Sequence, residues 1–259
     1  MNVTVWNENI DETRIHPKYP KKQEEVLAVH PNGIHNTLKD IVEELGEDVH
    51  VRTATLQEEE IGLPDEVLNS TDVLIWWSHN GHDQVPDEIV AKIHRRVLAG
   101  MGLILLHSSH YSKLLKTILG TSGDLKWRDN TYERMFCVNP SHPIATGIPE
   151  RFEIGVEECY AEFFDIPKPD DVVFMSWFDT GDVLRSGCTW TRGYGKIFYF
   201  QPGHETNRSY YHPVVRRILQ NAVQWAAPIK RKEQFGAPHI DVTLEELRAQ
   251  GKLTQTSEI

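Results

Sequence analysis

The chain has 259 residues, 39% hydrophobic and 25% charged, with a formal net charge of −11. That size and balance fit one large α/β domain or two small ones, and the acidic excess argues against a nucleic-acid partner, which needs clustered Lys and Arg. No apolar run is long enough for a bilayer, and the start MNVTVWNENI lacks a basic n-region and an apolar h-region, so neither a membrane partner nor a signal peptide is expected. Cys137, Cys159 and Cys188 are widely spaced, form no CxxC site, and suit a reducing cytoplasm.

Asn2–Trp6 (NVTVW) alternates β-branched residues and reads as the first strand, with Glu8 just beyond its carboxyl end. Residues 12–28 are polar and carry Pro17 and Pro20, hence a loop or short helix. A helix follows over about 34–45, with Ile34, Leu38, Ile41, Val42 and Leu45 at helical spacing. Residues 49–54 read as a second strand and 65–69 as a short helix opened by Pro64. The third strand is the buried run DVLIWW (72–77), ending in Ser78-His79-Asn80-Gly81-His82-Asp83. A helix from Pro86 to about Ala99 comes next.

Leu103–Leu106 is a wholly apolar run, the pattern of a parallel strand buried on both faces. It stops at His107-Ser108-Ser109-His110, and helical spacing resumes over 111–119. Such a strand, polar corner and helix is where an open α/β sheet displays a reactive side chain. From 120 to 192 the pattern changes: 132–138, 157–164 and 172–177 read as strands of an antiparallel insertion or of the sheet edge. KIFYFQ (196–201) is a fifth parallel-type strand, ending in Pro202-Gly203-His204-Glu205. Residues 213–225 are helical, and a charged tail follows Pro228, with a short helix over 242–250.

Alternating strands and helices imply a mostly parallel sheet covered on both faces. Ligands of such sheets bind beyond the carboxyl ends of the strands. Here those ends carry Glu8, His79, His82, His107, Ser108, His110, His204 and Glu205. Neighbouring strands lie about 4.8 Å apart, so these side chains can converge.

His79 and His82 form an HxxH in a glycine loop; with His107 they are candidate ligands of a divalent metal such as zinc. The opposing reading is that one caps a helix and the other is solvated. His107 is a candidate metal ligand, general base or hydrogen-bonded core residue. His204 and Glu205 are candidates for acid–base work if the chain turns at Gly203, since neighbours on an extended segment point apart. In the segment VEECY, Glu158 and Tyr160 share a strand face and can reach over the site, against the alternative of a solvated acidic edge. His35, near a helix start that favours its neutral form, joins Glu8, Ser108 and His110 as a candidate substrate contact. His142 reads as a loop residue. Trp6, Trp76, Trp77, Trp127, Trp177 and Trp190 are either core or platforms for sugar rings, with Trp76 and Trp77 read as core. Neither GxGxxG nor a Walker motif occurs, so no nucleotide cofactor is expected.

HPNGIH (30–35), DVLIWWSHNGHDQV (72–85), GLILLHSSH (102–110), VEECY (156–160), GYGKIFYFQPGHE (193–205) and NAVQWA (221–226) together resemble the ThuA-like family, the trehalose utilisation proteins. The resemblance covers nearly all of 1–228. It implies one α/β domain over 1–228, with 120–192 as insertion or edge strands and 229–259 as a tail. The implied fold is a flavodoxin-like three-layer open sheet with a β-rich insertion, like that of class I glutamine amidotransferases. Those enzymes place a cysteine at the corner after the central strand and His and Glu at a later strand end. Here the corner holds His107 and Ser108, which speaks against glutamine hydrolysis. The implied function is disaccharide catabolism on a sugar partner, a glucoside or its keto form. A histidine or carboxylate would remove a proton made acidic by the ketone, with a divalent ion or imidazolium stabilising the enolate. Lyase, isomerase and hydrolase outcomes all fit that start. Two alternatives stand beside it: a non-catalytic sugar-binding or regulatory module, and a metal-dependent hydrolase of another small substrate. The insertion and tail also offer surface for a homo-oligomer.

Overall fold

A computed structural model describes residues 1–229, 232, 235–236 and 239–253. The chain runs β1 (Asn2–Asn7), α1 (Lys22–Val29), α2 (Ile34–Glu43), β2 (His50–Thr55), α3 (Asp65–Ser70), β3 (Val73–Trp77), α4 (Asp87–Leu98), β4 (Gly102–Leu106) and α5 (Lys113–Leu119). It continues through β5 (Lys126–Cys137), β6 (Arg151–Ala161), β7 (Asp171–Phe178), β8 (Val183–Arg192), β9 (Gly195–Phe200), α6 (Pro213–Ala226) and α7 (Leu244–Ala249). The part of the expected tail at 230–231, 233–234, 237–238 and 254–259 lies outside the described residues. Among the described residues no helix is long and apolar enough to cross a membrane.

The strands form one nine-stranded sheet in the order β2-β1-β3-β4-β9-β8-β7-β5-β6. Pairing is parallel from β2 to β9. It is antiparallel from β9 to β6. The sheet is therefore half parallel and half antiparallel, a correction to the mostly parallel sheet expected. The reason is local. Short turns join β7 to β8 and β8 to β9, and a tight turn permits only antiparallel pairing. The added strands extend the same sheet from its β9 edge. The strand β8 was not expected, because Arg185-Ser186-Gly187 interrupts its apolar pattern. Gly187 is small for a reason: a Cβ there would lie 2.5 Å from the Phe174 ring.

β3 and β4 are buried at every position, and their side chains alternate between two cores. Leu74, Trp76, Leu103 and Leu105 pack toward Ile89, Ile93 and Val97 of α4. Val73, Ile75, Trp77, Ile104 and Leu106 pack toward Ile34, Leu38 and Ile41 of α2 and Ile218 and Leu219 of α6. Trp6 stacks on Trp76 with ring centroids 3.7 Å apart. Trp6, Trp76, Trp77 and Trp190 are thus core, while Trp127 is 66% exposed.

One core group of the antiparallel half is a buried acid. Glu133 of β5 accepts from Ser176 Oγ, and among the described residues its Oε2 has no hydrogen-bond partner. Burial, reinforced by Glu157, pushes its pKa well above the usual carboxylate value. The unfolded chain loses that proton near the ordinary glutamate value, whereas the folded protein keeps it to higher pH. Stability therefore falls as pH rises between the two values. Glu133→Gln, which cannot titrate, should raise Tm relative to the parent more at pH 8 than at pH 5 in calorimetry. An equal shift at both pH values would refute this.

A candidate active site at the carboxyl ends of the strands

The parallel register sets the strand ends side by side: Asn7 pairs with Trp77, Trp77 with Leu106, and Leu106 with Phe200. The residues that follow begin four adjacent loops, and buried polar groups hold those loops in place. Glu8 accepts the backbone N–H groups of His79, Asn80 and Gly81 at 2.6, 2.7 and 2.8 Å. Ser109 Oγ donates to the Trp76 carbonyl and accepts from the Ser78 N–H, which ties the β4 corner to the end of β3. Glu157 accepts from the Gly203 N–H at 3.0 Å, the His204 N–H at 3.2 Å, Asn207 Nδ2 at 2.9 Å and Ser209 Oγ.

The turn after β9 depends on Gly203. Its φ is +131°, and a Cβ there would lie 2.1 Å from the Tyr210 hydroxyl oxygen. The Gly203 carbonyl accepts from Trp77 Nε1 at 3.1 Å. Gly203→Ala is expected to cost at least about 2 kcal/mol. Chemical denaturation checks this, and an unchanged midpoint would show that the turn adapts.

His107 begins the β4 corner with φ +49°, a left-handed conformation that few non-glycine residues adopt. Three contacts hold it there. Its Nδ1 lies 2.7 Å from the Gln201 carbonyl and must donate to it. Its own carbonyl accepts from Tyr199 Oη at 3.1 Å. Its Nε2 lies 3.0 Å from Glu158 Oε2 and 3.3 Å from Tyr160 Oη, and that hydroxyl meets Ser108 Oγ at 3.0 Å. Burial pushes the His107 pKa down, but the Glu158 carboxylate beside it outweighs that and raises the pKa. Burial pushes Glu158 up, and His107, aided by His204 and His79, brings it below the usual value. Both shifts favour the charged forms, an imidazolium beside a carboxylate.

His204 is different. Its Nδ1 accepts the Thr206 N–H at 3.3 Å, so in the neutral ring Nε2 carries the proton. Burial lowers its pKa below the ordinary histidine value, and Glu205 does not offset that, which favours the neutral ring. Its centroid lies 5.6 Å from that of His107 and 6.4 Å from that of His79. Glu205 is fully buried, paired with Lys22 Nζ, 3.4 Å from His79 Nδ1 and 3.6 Å from His204 Nε2. Burial pushes Glu205 up, and His79, His204 and Lys22 pull it well below the usual value. Above these groups opens a cleft of about 1140 Å³, large for a small-molecule site. Glu158, Tyr160, Ser108, His110, His79 and His204 line it, and Trp127 and Tyr19 stand at its rim.

A sequence profile of the ThuA family, described as trehalose utilisation, matches residues 2–226. The chain belongs to the ThuA family. Solved structures of similar fold include a ThuA-like protein from Parabacteroides merdae, with a TM-score of 0.63 and 16% identity over 90% of this chain and 92% of that one. A cytoplasmic protein from Salmonella typhimurium gives a TM-score of 0.61 and 16% identity over 88% of this chain and 100% of that one. A ThuA-like protein from Bacteroides uniformis gives 0.60 and 14%, over 87% and 90%. No curated protein matches the chain.

In this ThuA chain several expected site residues stand elsewhere than expected. His107 is fully buried behind Glu158, stacks on Tyr160 at 4.7 Å and does not line the cleft. Glu8 is spent on the 79–81 loop and does not border the cleft. His35 lies off the cleft, 3.3 Å from Asn7 Nδ2. Glu205 lies beneath the floor. His79, His82 and His107 do not form one metal-ligand set. A 3-10 turn over His82–Gln84 sets His82 beside Tyr111, while both nitrogens of His107 are engaged. Burial pushes His82 down to about 3 and His110 to about 4, so both are neutral. His110 Nδ1 donates to the Gly123 carbonyl at 2.6 Å. Sequence reasoning missed Asp11 and Lys22. Asp11 sits three residues past Glu8 and shared its signal; Lys22 lies in a run of ordinary surface lysines and had none.

Proposed function

We propose that the cleft binds a keto-glucoside derived from a disaccharide and begins its breakdown by removing a proton beside the ketone. Glu158 is the base. The Nε2–H of His204 donates a hydrogen bond to the ketone oxygen. The observation that carries this reading is that Glu158, whose shift favours the carboxylate, and His204, whose shift favours the neutral ring, lie with the exposed Asp129 in one cluster at the cleft, a ligand atom of each within 4.8 Å of the others. A base and a neutral imidazole electrophile are what enolisation beside a carbonyl requires. The C–H bond breaks, its proton passes to Glu158, and its electron pair forms the C=C bond as the oxygen gains charge. The enolate then takes a proton back or expels a glycosidic oxygen β to the carbonyl. His107 is a positioning residue that keeps Glu158 ionised.

The same reading excludes glutamine hydrolysis through a thiolate. The corner holds His107 and Ser108, and the three cysteines are buried elsewhere. Burial pushes Cys159 up to about 11 and Cys188 to about 12. Counted among themselves, the parallel strands run 2-1-3-4-5, which supports a flavodoxin-like, amidotransferase-related scaffold. Unpaired cysteines and a cytoplasmic Salmonella relative support a cytoplasmic location.

The test is incubation with 3-keto-disaccharides in deuterated water, followed by NMR and mass spectrometry. Deuterium at the carbon beside the ketone, or new products, is the expected result. Tight sugar binding with neither would make the protein a binding module.

A further inference from the structure

We propose that Asp11, His79 and Glu205 bind one divalent first-row transition metal ion, in competition with the Lys22 ammonium. The three residues come from the loops after β1, β3 and β9. One donor atom from each lies within 4.8 Å of the others. His79 Nδ1 is 3.4 Å from Glu205 Oε1 and 3.8 Å from Asp11 Oδ2. Metal–ligand bonds of about 2.0–2.2 Å in a tetrahedron set donor atoms roughly 3.3–3.6 Å apart, so the donors already stand near ligand spacing.

A second observation points to a ligand. Glu205 is fully buried and Asp11 nearly so, yet among the described residues Glu205 Oε2 and Asp11 Oδ1 have no hydrogen-bond partner, while Asp11 Oδ2 accepts from Asn80 Nδ2 at 2.9 Å. Buried carboxylate oxygens without partners are costly, and a cation held by both oxygens of each carboxylate satisfies them. One imidazole and two carboxylates suit zinc or manganese better than a soft ion.

Lys22 decides how the ion enters. Its Nζ pairs with Glu205 Oε1, and its side chain is 17% exposed at the start of α1. It can therefore swing to solvent and give up Glu205 to the ion. Asp11, His79 and Lys22 all border the cleft, so open coordination positions face a bound ligand. The inference is independent of the acid–base reading, because it is read by binding alone.

The experiment uses untagged full-length chain stripped with chelator and titrated with zinc or manganese chloride by calorimetry at pH 7. Cobalt absorption reports the ligand field. One ion per chain is expected, with a raised Tm. Asp11→Asn and His79→Ala should each weaken binding at least tenfold, and Lys22→Met should tighten it at least threefold. Binding absent from both the parent and Lys22→Met overturns the proposal. So does binding that Asp11→Asn and His79→Ala leave unchanged, which places the ion elsewhere. Lys22 is partly exposed, so Lys22→Met decides the matter even if the other variants fail to fold: unchanged affinity there removes the competition.

Discussion

Glu158→Gln is expected to lower proton exchange on a keto-glucoside by roughly 10³-fold while leaving the fold intact, within the range of about 10²–10⁴ for a general base. The amide keeps the shape and an acceptor oxygen but cannot take the proton. The partner variant separates chemistry from positioning. His107→Asn suits the left-handed backbone at that corner, which Asn adopts more readily than most residues. It removes the imidazolium that holds the Glu158 pKa down. Glu158 should then lose its proton only at higher pH, and the acid limb of the pH–rate profile should move up. A limb that stays in place would show that His107 does not set the charge of Glu158.

Glu157→Ala should be among the most destabilising single changes at the site. It deprives three backbone N–H groups (of Glu158, Gly203 and His204), an amide and a hydroxyl of one shared acceptor. Leaving buried donors unpaired costs about 1–3 kcal/mol each, and partial hydration of the loop reduces the sum, so a loss of at least about 3 kcal/mol is expected. Denaturant unfolding measures it. A loss under about 1 kcal/mol would mean that the 203–209 loop holds its own shape.

The parts of the molecule that the sequence made legible are those where one physical signal dominates. DVLIWW, GLILL and KIFYFQ are apolar because both faces of their strands are covered, and a polar corner after each marks the strand end. Those corners carry the imidazoles that meet at the cleft. The rest depended on partners far along the chain. Glu157 and Glu158 are neighbours on β6, yet one holds a loop and the other lines the cleft, and only the position of the 203–209 turn distinguishes them. Glu8 has the composition of a ligand contact, but the amides of residues 79–81 close over it. β8 was hidden because Gly187 makes room for Phe174 at the expense of its own apolar pattern. His82 belongs to a legible HxxH, yet it opens a 3-10 turn that sets its ring beside Tyr111, away from the His79 set.

The most direct test of the account is an NMR titration that follows the ring nitrogens of selectively labelled His204 and the carboxyl carbon of Glu158 in the same protein. The account predicts that at pH 7 His204 is neutral, with its proton on Nε2, while Glu158 is ionised and protonates only below the usual glutamate value. A doubly protonated His204 or a protonated Glu158 at that pH would contradict it.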